Sequence, residues 1–325
     1  MKVVLSRKGF DSKNGGVASP IFGEIGDQTL YSLPIPSERS ACGYEEIAFK
    51  DSNLLELIRS LRQNRPMLPN TPHLDPDLFP ATRASKHADW RPVFGQSGAQ
   101  ERQLQNMGVD HSTNQNDRTL FLFFGWYKEV EAADGGYRYR RPQCRDVHAL
   151  FGWLQTAEKV LLRNEEDRRI LGEKYPWIES HPHVACDYYD AHGPNAVYIA
   201  PKPGTSTDRL VLCGHETELP AAGMFAKFEP AIHTLTKAGA TKSVWRVPTW
   251  LYRDGQPRLG MHTKQDRWTA IEGDPGHMRL QTVGIGQEFV LDTDDYDQGT
   301  ITCWIREIVQ AGQKDGDRIP RRNSS

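Results

Sequence analysis

The 325-residue chain contains no run of about 18 apolar residues, so the sequence predicts no membrane-spanning helix. Its N-terminus carries one lysine before a short apolar run, which does not resemble a signal peptide. The five cysteines are an odd number without regular spacing, which argues against a disulfide framework. We therefore expect a soluble, cytoplasmic protein with reduced thiols.

An excess of positive charge is also missing. Lys and Arg number 40 and Asp and Glu number 42, which leaves a net charge of −2. A protein that coats nucleic acid through charge alone is strongly basic. Any contact with nucleic acid must therefore be local.

The common catalytic and phosphate-binding motifs are absent. The chain has no GxSxG, HExxH or CxxC motif and no P-loop. The sequence GIGQE at Gly284–Glu288 lacks the third glycine of a dinucleotide-binding loop and leads into an apolar strand. No nucleophile can be identified from a motif, so candidate residues must come from other clusters of polar side chains.

The hydrophobic pattern predicts many short strands and few helices. A first strand is expected from Lys2 to Ser6, and the strands LFLFFGW and HALFGWLQ are expected to lie in one sheet. Helices are predicted in DSNLLELIRSLRQNRP, capped by Asp51 or Ser52, and in NEEDRRILGEKYP, capped by Asn164 and ended near Gly172.

These elements predict a β-rich α+β fold with a central small barrel-like or twisted sheet. We expect one large domain over residues 1–305. An alternative division places an N-terminal α/β part, residues 1–110, against a β-rich part, residues 111–305. Residues 310–325 have few apolar side chains and are predicted to form a flexible tail.

The first candidate site is the stretch SRKGFDSKNGG that follows the first strand. Ser6 and Asp11 are candidate catalytic residues, and Arg7 and Lys8 are candidates for binding a phosphate. A solvated loop after an edge strand would look the same.

The second candidate is the sequence PHLDPDL. Its residues His73, Asp75 and Asp77 alternate, so an extended segment would project all three side chains to one side. Such a set could bind a metal or pair a carboxylate with an imidazole for proton transfer. The alternative is a turn or helix cap, for which Asp-Pro-Asp is equally suited.

A zinc site is a weaker alternative. His181, His183 and Cys186 lie close together in the sequence, and Cys213 and His215 follow later. The spacing matches no familiar zinc module, and the strand before Cys213 favours a buried structural thiol. The metal content therefore stays open.

Two clusters combine aromatic rings with arginines. The sequence GGYRYRRPQCR provides Arg138, Arg140 and Arg141 as local nucleic-acid contacts, although a hairpin tip would have the same composition. The sequence KSVWRVPTWLY provides Trp245, Arg246 and Trp250, which would suit a pocket for a base unless the indoles pack in the core.

Two amides complete the candidate set. Gln96 in FGQSGAQ and Asn195 before AVYIA could read the edge of a base. They could equally satisfy buried backbone groups.

The ordered motifs over residues 1–292 resemble the nucleotide-modification-associated domain family of the third class. They are SRKGFDSKNGGVASPI, HLDPDL, FGQSGAQ, LFLFFGWY, HALFGWLQ, SHPH, NAVYIA, TKSVWRVPTW and GQEFV. The chain departs from this resemblance just before the strand LFLFFGW. A short Gly-Asp turn is expected there, and the chain has the polar segment VDHSTNQNDRT instead. The segment LFLFFGWY…HALFGWLQTAEKVLL is also similar to the core hairpin of pseudouridine-synthase and archaeosine-transglycosylase RNA-binding barrels.

The first resemblance implies an association with bacterial or phage systems that modify DNA bases or nucleotides. It implies no settled reaction, cofactor or catalytic residues. We expect a nucleotide- or base-binding enzyme of the transferase or hydrolase type, with nucleic acid and other modification enzymes as partners. The alternatives are a non-catalytic reader of modified bases and a scaffold subunit.

Overall fold

A computed structural model describes residues 1–40, 42–63, 69–78, 87–109, 118–141, 145–253, 255–257, 259–283 and 288–313. The strands within these ranges are β1 (Lys2–Arg7), β2 (Ser19–Phe22), β3 (Thr29–Leu30), β4 (Ala48–Phe49), β5 (Ser52–Asn53), β6 (Val93–Ser97), β7 (Leu120–Ala133), β8 (Gly136–Tyr139), β9 (Val147–Gln155), β10 (Glu158–Leu161), β11 (Asn195–Ile199), β12 (Val211–Leu212), β13 (His215–Glu216), β14 (Ala222–Met224), β15 (Val244–Pro248), β16 (Tyr252–Arg253), β17 (Gln256–Pro257), β18 (Trp268–Ala270), β19 (His277–Gln281) and β20 (Glu288–Asp292). The α-helices there are α1 (Leu54–Leu61), α2 (Gly98–Asn106), α3 (Glu165–Lys174), α4 (Pro230–His233) and α5 (Gln298–Ala311).

The central sheet is built around β7. Its strand order is β14-β9-β7-β1-β20, with β2 and β8 pairing along the C-terminal half of β7. Strand β1 runs parallel to β7 and antiparallel to β20, which places the start of the chain in the middle of the sheet. The prediction allowed a small barrel-like sheet or a twisted sheet. The described strands do not close into a barrel, so the first of these is not observed. The β-rich α+β class is confirmed.

A second sheet, β10-β11-β6, packs against one face of the central sheet. Phe94 of β6 meets Phe121 and Phe123 of β7 at ring-centroid distances of 4.8 and 5.3 Å. All three rings are fully buried, so apolar burial holds the two sheets together. This packing brings the end of β6 over the ends of β1 and β20, where the polar residues described below meet.

Local sequence signals predicted several elements and missed others. Strands β7 and β9 pair as expected, and Asn164 caps α3 by accepting a hydrogen bond from the Asp167 N–H at 2.9 Å. Helix α3 continues to Lys174, beyond the predicted end at Gly172. Helices α2 and α5 were not predicted, because α2 is rich in glutamine and α5 follows a run of acidic residues.

The predicted cap of α1 was wrong. Asn53, rather than Asp51 or Ser52, accepts the hydrogen bond from the Glu56 N–H, at 3.1 Å. Ser52 pairs with Phe49 in the β4–β5 hairpin, one residue before the cap.

Other expectations fall partly outside the described residues. Helix α5 continues to Ala311, one residue past the predicted start of the tail, and residues 314–325 are not described.

The described helices include none that is both long and apolar enough to cross a membrane.

The cap of α1 provides a test of the local structure. Replacing Asn53 with Ala removes the acceptor for the Glu56 N–H and should lower the free energy of unfolding by about 1 kcal/mol. Asp51→Ala is the matched control and should change it by less than about 0.5 kcal/mol. Urea denaturation measures both, and an equal cost for the two substitutions would contradict the assigned cap.

Candidate functional site

The site begins at the open edge of β6. One edge of β6 pairs with β11, and the segment that carries Asp75 and Asp77 lies along the other. The Asp77 N–H donates to the Val93 carbonyl at 2.8 Å, and the Gly95 N–H donates to Asp75 Oδ1 at 2.6 Å. The Asp75 carboxylate thus satisfies a backbone donor that an edge strand would otherwise leave unpaired.

Strands β1 and β20 bring a second polar group to this edge. Ser6 Oγ donates to Glu288 Oε1 at 3.0 Å, and Gln96 Nε2 donates to the same oxygen. Lys8 Nζ lies 3.8 Å from Asp75 Oδ2 and 3.8 Å from Glu288 Oε1. Lys8 therefore joins the two carboxylates.

Three histidines also lie near Asp75. His181 Nε2 lies 3.3 Å from Asp75 Oδ1, and His73 Nε2 lies 4.0 Å from Asp75 Oδ2. His183 packs so tightly on Gly95 that a Cβ there would sit 2.3 Å from the imidazole ring. Gly95 is thus required for the close approach of this ring to β6.

We call these residues the edge cluster: Ser6, Lys8, His73, Asp75, Gln96, His181, His183, Asn195 and Glu288. The Asp75 and Glu288 side chains are 2% and 0% exposed, and those of Lys8 and His73 are 10% and 11% exposed. Lys8 and His73 are therefore the charged or titratable members that a ligand reaches first. Within the described part of the chain, Glu288 Oε2 is buried without a hydrogen-bond partner.

Burial shifts the proton affinities in the cluster. Desolvation raises the pKa of Glu288 to about 7, although Lys8 and the hydrogen bonds from Ser6 and Gln96 favour its ionised form. Desolvation also lowers the pKa of His73 to about 3 and that of His183 to about 4. Near pH 7 both imidazoles are therefore neutral, whereas Glu288 is divided between its protonated and ionised forms.

An aromatic surface adjoins the edge cluster on the 3-10 segment Asp187–His192. Tyr189 stacks on His183 with ring centroids 4.2 Å apart, and its hydroxyl lies 3.2 Å from His73 Nδ1. The exposed Arg39 guanidinium lies 3.5 Å from the ring centroid of Tyr188. The sequence analysis missed these residues, although Tyr188 and Tyr189, a few residues after His183, were a visible signal.

A surface cavity of about 410 Å³ lies beside this segment. It is lined by Gly98, Ala99, Arg102, Gln103, Asn106, Met107 and His192. Among the described residues, the lining includes no member of the edge cluster, but Gln103 Nε2 donates to the Glu288 carbonyl at 2.9 Å. Gln103 of the lining therefore contacts the main chain of Glu288.

The remaining candidates of the first two motifs lie apart from the cluster or at its margin. Alternation along β1 turns Arg7 to the opposite face from Ser6 and Lys8, where Arg7 lies 3.9 Å from Asp11. The Asp11 carboxylate accepts hydrogen bonds from the N–H groups of Lys13 and Asn14 and closes its own turn. Asp77 accepts a hydrogen bond from Trp90 Nε1 at 2.8 Å.

The predicted base pocket is not assembled beside the edge cluster. Trp245 is fully buried against Phe124 and donates to His148 Nδ1 at 3.0 Å, so its ring packs in the core. Arg246 is exposed and pairs with Asp274, and Trp250 packs edge-on against Tyr296. A buried indole has no free face for a base.

The arginine-rich hairpin is also separate. Arg138 pairs with Glu131 and Arg140 with Glu24, both at 2.8 Å, and Arg141 is exposed. These ion pairs offset the positive charge that was expected to contact nucleic acid.

The residues of the alternative zinc site are not brought together. Cys186 Sγ accepts a hydrogen bond from the Tyr188 N–H, whereas Cys213 and His215 lie on the β12–β13 hairpin. In the described ranges, the three side chains grouped closely enough to hold a metal ion are instead His73, Asp75 and His183. This set combines two of the predicted clusters.

Comparison with known proteins supports a family assignment. The model of a family described as nucleotide modification associated domain 3 matches residues 2–292. No curated protein and no solved structure matches the chain.

The raised pKa of Glu288 predicts a specific dependence of stability on pH. Its value lies above the ordinary 4.5, so the contribution of Glu288 to the free energy of unfolding is fully present below about pH 4.5 and is lost as the pH rises through 7. Glu288→Gln cannot ionise. Its thermal midpoint, relative to the unmodified protein, should therefore be higher at pH 8 than at pH 5.

The depressed pKa values of His73 and His183 act in the opposite direction, because their contribution is lost as the pH falls from 6.5. Both proteins contain these residues, so this effect cancels in the comparison. Replacing the exposed Glu272 with Gln is the control. If the difference in thermal midpoint between Glu288→Gln and the unmodified protein does not change with pH, the assigned pKa of Glu288 is contradicted.

Proposed function

The chain belongs to the nucleotide modification associated domain 3 family, and from this premise we propose that it binds a nucleotide or a DNA base beside the edge cluster and modifies it by acid–base chemistry. The observation that carries the proposal is the buried Glu288 carboxyl group, joined through Lys8 to Asp75. A carboxyl group with a pKa near 7 is well matched to transferring a proton at neutral pH.

The charges of the cluster support this role. Lys8 lies between two carboxylates, and its ammonium also lies 4.3 Å from the centroid of the Phe94 ring. A phosphate or other oxyanion of the ligand would compete with these carboxylates for Lys8. Moving Lys8 would change the proton affinity of Glu288, because Lys8 favours its ionised form. Ligand binding and proton transfer are coupled in this arrangement.

The aromatic surface supports binding of a base. Arg39 and Tyr188 form a cation–π pair at the surface, and planar rings next to a guanidinium suit stacking on a nucleobase. Tyr188 also contacts His192, at a ring distance of 3.9 Å, and His192 lines the cavity. We assign the base to the Tyr188 surface and the rest of the nucleotide to the cavity, with Lys8 and His73 facing the reacting group.

We infer the type of reaction from the residues in this role. Ser6, Asp75 and His73 provide a hydroxyl, a carboxylate and a neutral imidazole around Lys8, which suits group transfer to a base or hydrolysis of a nucleotide. The family description points to nucleic-acid modification as the context, with a nucleotide or nucleic acid as the partner. Bacterial or phage modification enzymes are the partner proteins that fit this role.

A non-catalytic reader of modified bases is less well supported. The hairpin that resembles RNA-binding barrels lies in an open sheet among the described strands. Arg138 and Arg140 are held by glutamates. A reader also has no need for a buried carboxyl group with a raised pKa.

The proposal can be tested with deoxynucleoside monophosphates and a short DNA duplex as probes. Calorimetry measures binding, and mass spectrometry of the digested nucleosides measures conversion. We expect the unmodified chain to bind at least one probe, and Tyr188→Ala to weaken this binding by about 1–3 kcal/mol, the value of one stacked base. Glu288→Gln should retain binding and slow conversion about 10²–10⁴-fold, the usual contribution of general acid–base catalysis.

Glu272→Gln serves as the matched control, because Glu272 is exposed and outside the site. It should leave both binding and conversion unchanged. Failure of every probe to bind would contradict the assigned ligand class. Conversion at the full rate by Glu288→Gln would contradict the acid–base role.

A further inference from the structure

We propose that His73, Asp75 and His183 bind a divalent transition-metal ion at the open edge of β6. Each of the three side chains offers one ligand atom, and these atoms all lie within 4.8 Å of one another. Metal–ligand bonds of about 2.0–2.2 Å place neighbouring ligand atoms roughly 3 Å apart, so the side chains need to close by only about 1–2 Å. The site shares His73 and Asp75 with the reaction proposed above, but metal binding is measured without that reaction.

The donor set indicates the class of metal. Two imidazole nitrogens and one carboxylate oxygen suit iron, cobalt, nickel or zinc, whereas calcium and magnesium prefer oxygen ligands only. Three protein ligands also leave coordination positions for water or another small molecule.

The hydrogen bonds around His183 orient it as a metal ligand would be oriented. Asn195 Nδ2 donates to the His183 carbonyl at 3.0 Å and to Asp190 Oδ1 at 3.1 Å. Asn195 Oδ1 therefore faces His183 Nδ1, at 2.9 Å, and accepts its hydrogen. The lone pair of His183 is then on Nε2, the nitrogen left to bind the ion. Metal-binding histidines almost always donate their other ring N–H in this way.

His73 and Asp75 are oriented similarly. The Tyr189 hydroxyl lies 3.2 Å from His73 Nδ1, which leaves His73 Nε2 on the Asp75 side. The Gly95 N–H and His181 Nε2 both lie at Asp75 Oδ1, at 2.6 and 3.3 Å. The other carboxylate oxygen, Oδ2, faces His73 and Lys8 and is available to an ion.

Lys8 lies close enough to Asp75 to compete with a bound metal ion. Its ammonium lies 3.8 Å from Asp75 Oδ2, the oxygen assigned to the metal, so Lys8 and the ion compete for one carboxylate. Lys8 lies equally far from Glu288 Oε1 and can pair there when the ion binds. Removing the positive charge of Lys8 should therefore tighten the binding of the metal ion.

The full chain, stripped with a chelator, should be titrated with Co²⁺ and followed by its visible absorption and by calorimetry. We expect one ion per chain and a higher thermal midpoint with Co²⁺ than without it. His183→Ala should weaken Co²⁺ binding by at least about 100-fold, and Asn195→Ala by about 10–100-fold, because the latter removes only the orienting hydrogen bond. His215→Ala, on the exposed hairpin, is the control and should change nothing.

Lys8→Met keeps the test informative if the ligand variants fold poorly. It should bind Co²⁺ more tightly than the unmodified chain. Weaker binding by Lys8→Met, or unchanged binding by a folded His183→Ala, would overturn the proposal. Absence of any Co²⁺ binding by the unmodified chain would also overturn it.

Discussion

The hydrogen bond from the Gly95 N–H to the Asp75 carboxylate is the contact on which the site depends. It closes the open edge of β6 with a charged side chain in place of another strand. A carboxylate buried in this way needs positive or donating neighbours, because removing a charge from water is costly. Lys8, the residue after β1, and His181, which precedes the Asp187–His192 segment, supply them. One edge strand thus gathers side chains from three distant parts of the chain.

The same burial gives the cluster its chemical character. Lys8 is shared between Asp75 and Glu288, so neither carboxylate has a cation of its own. Burial raises the pKa of Glu288 because this shared charge does not fully offset its desolvation. Buried ion pairs are weak contributors to stability, and perturbed pKa values cluster at functional sites. Both properties support the role proposed for the cluster.

Sequence reasoning predicted the parts of the site that depend on local patterns. The polar stretch after the first strand and the HLDPD motif indicated Lys8 and Asp75, and the structure brings them together. Glu288 was missed because its position beside Ser6 depends on the pairing of β1 with β20, which lie at opposite ends of the chain. Trp245 shows a second limit of sequence reasoning. An aromatic ring near an arginine has the same sequence pattern whether it packs in a core or lines a pocket, and Trp245 is buried in the core.

The central claim is that Lys8 and Asp75 form a coupled pair inside the folded protein. A double-mutant cycle with Lys8→Met, Asp75→Asn and the combined variant, measured by urea denaturation, tests it most directly. We predict a coupling energy above about 1 kcal/mol, because each single substitution leaves the other charge buried with less compensation. Additive effects of the two substitutions would contradict the account.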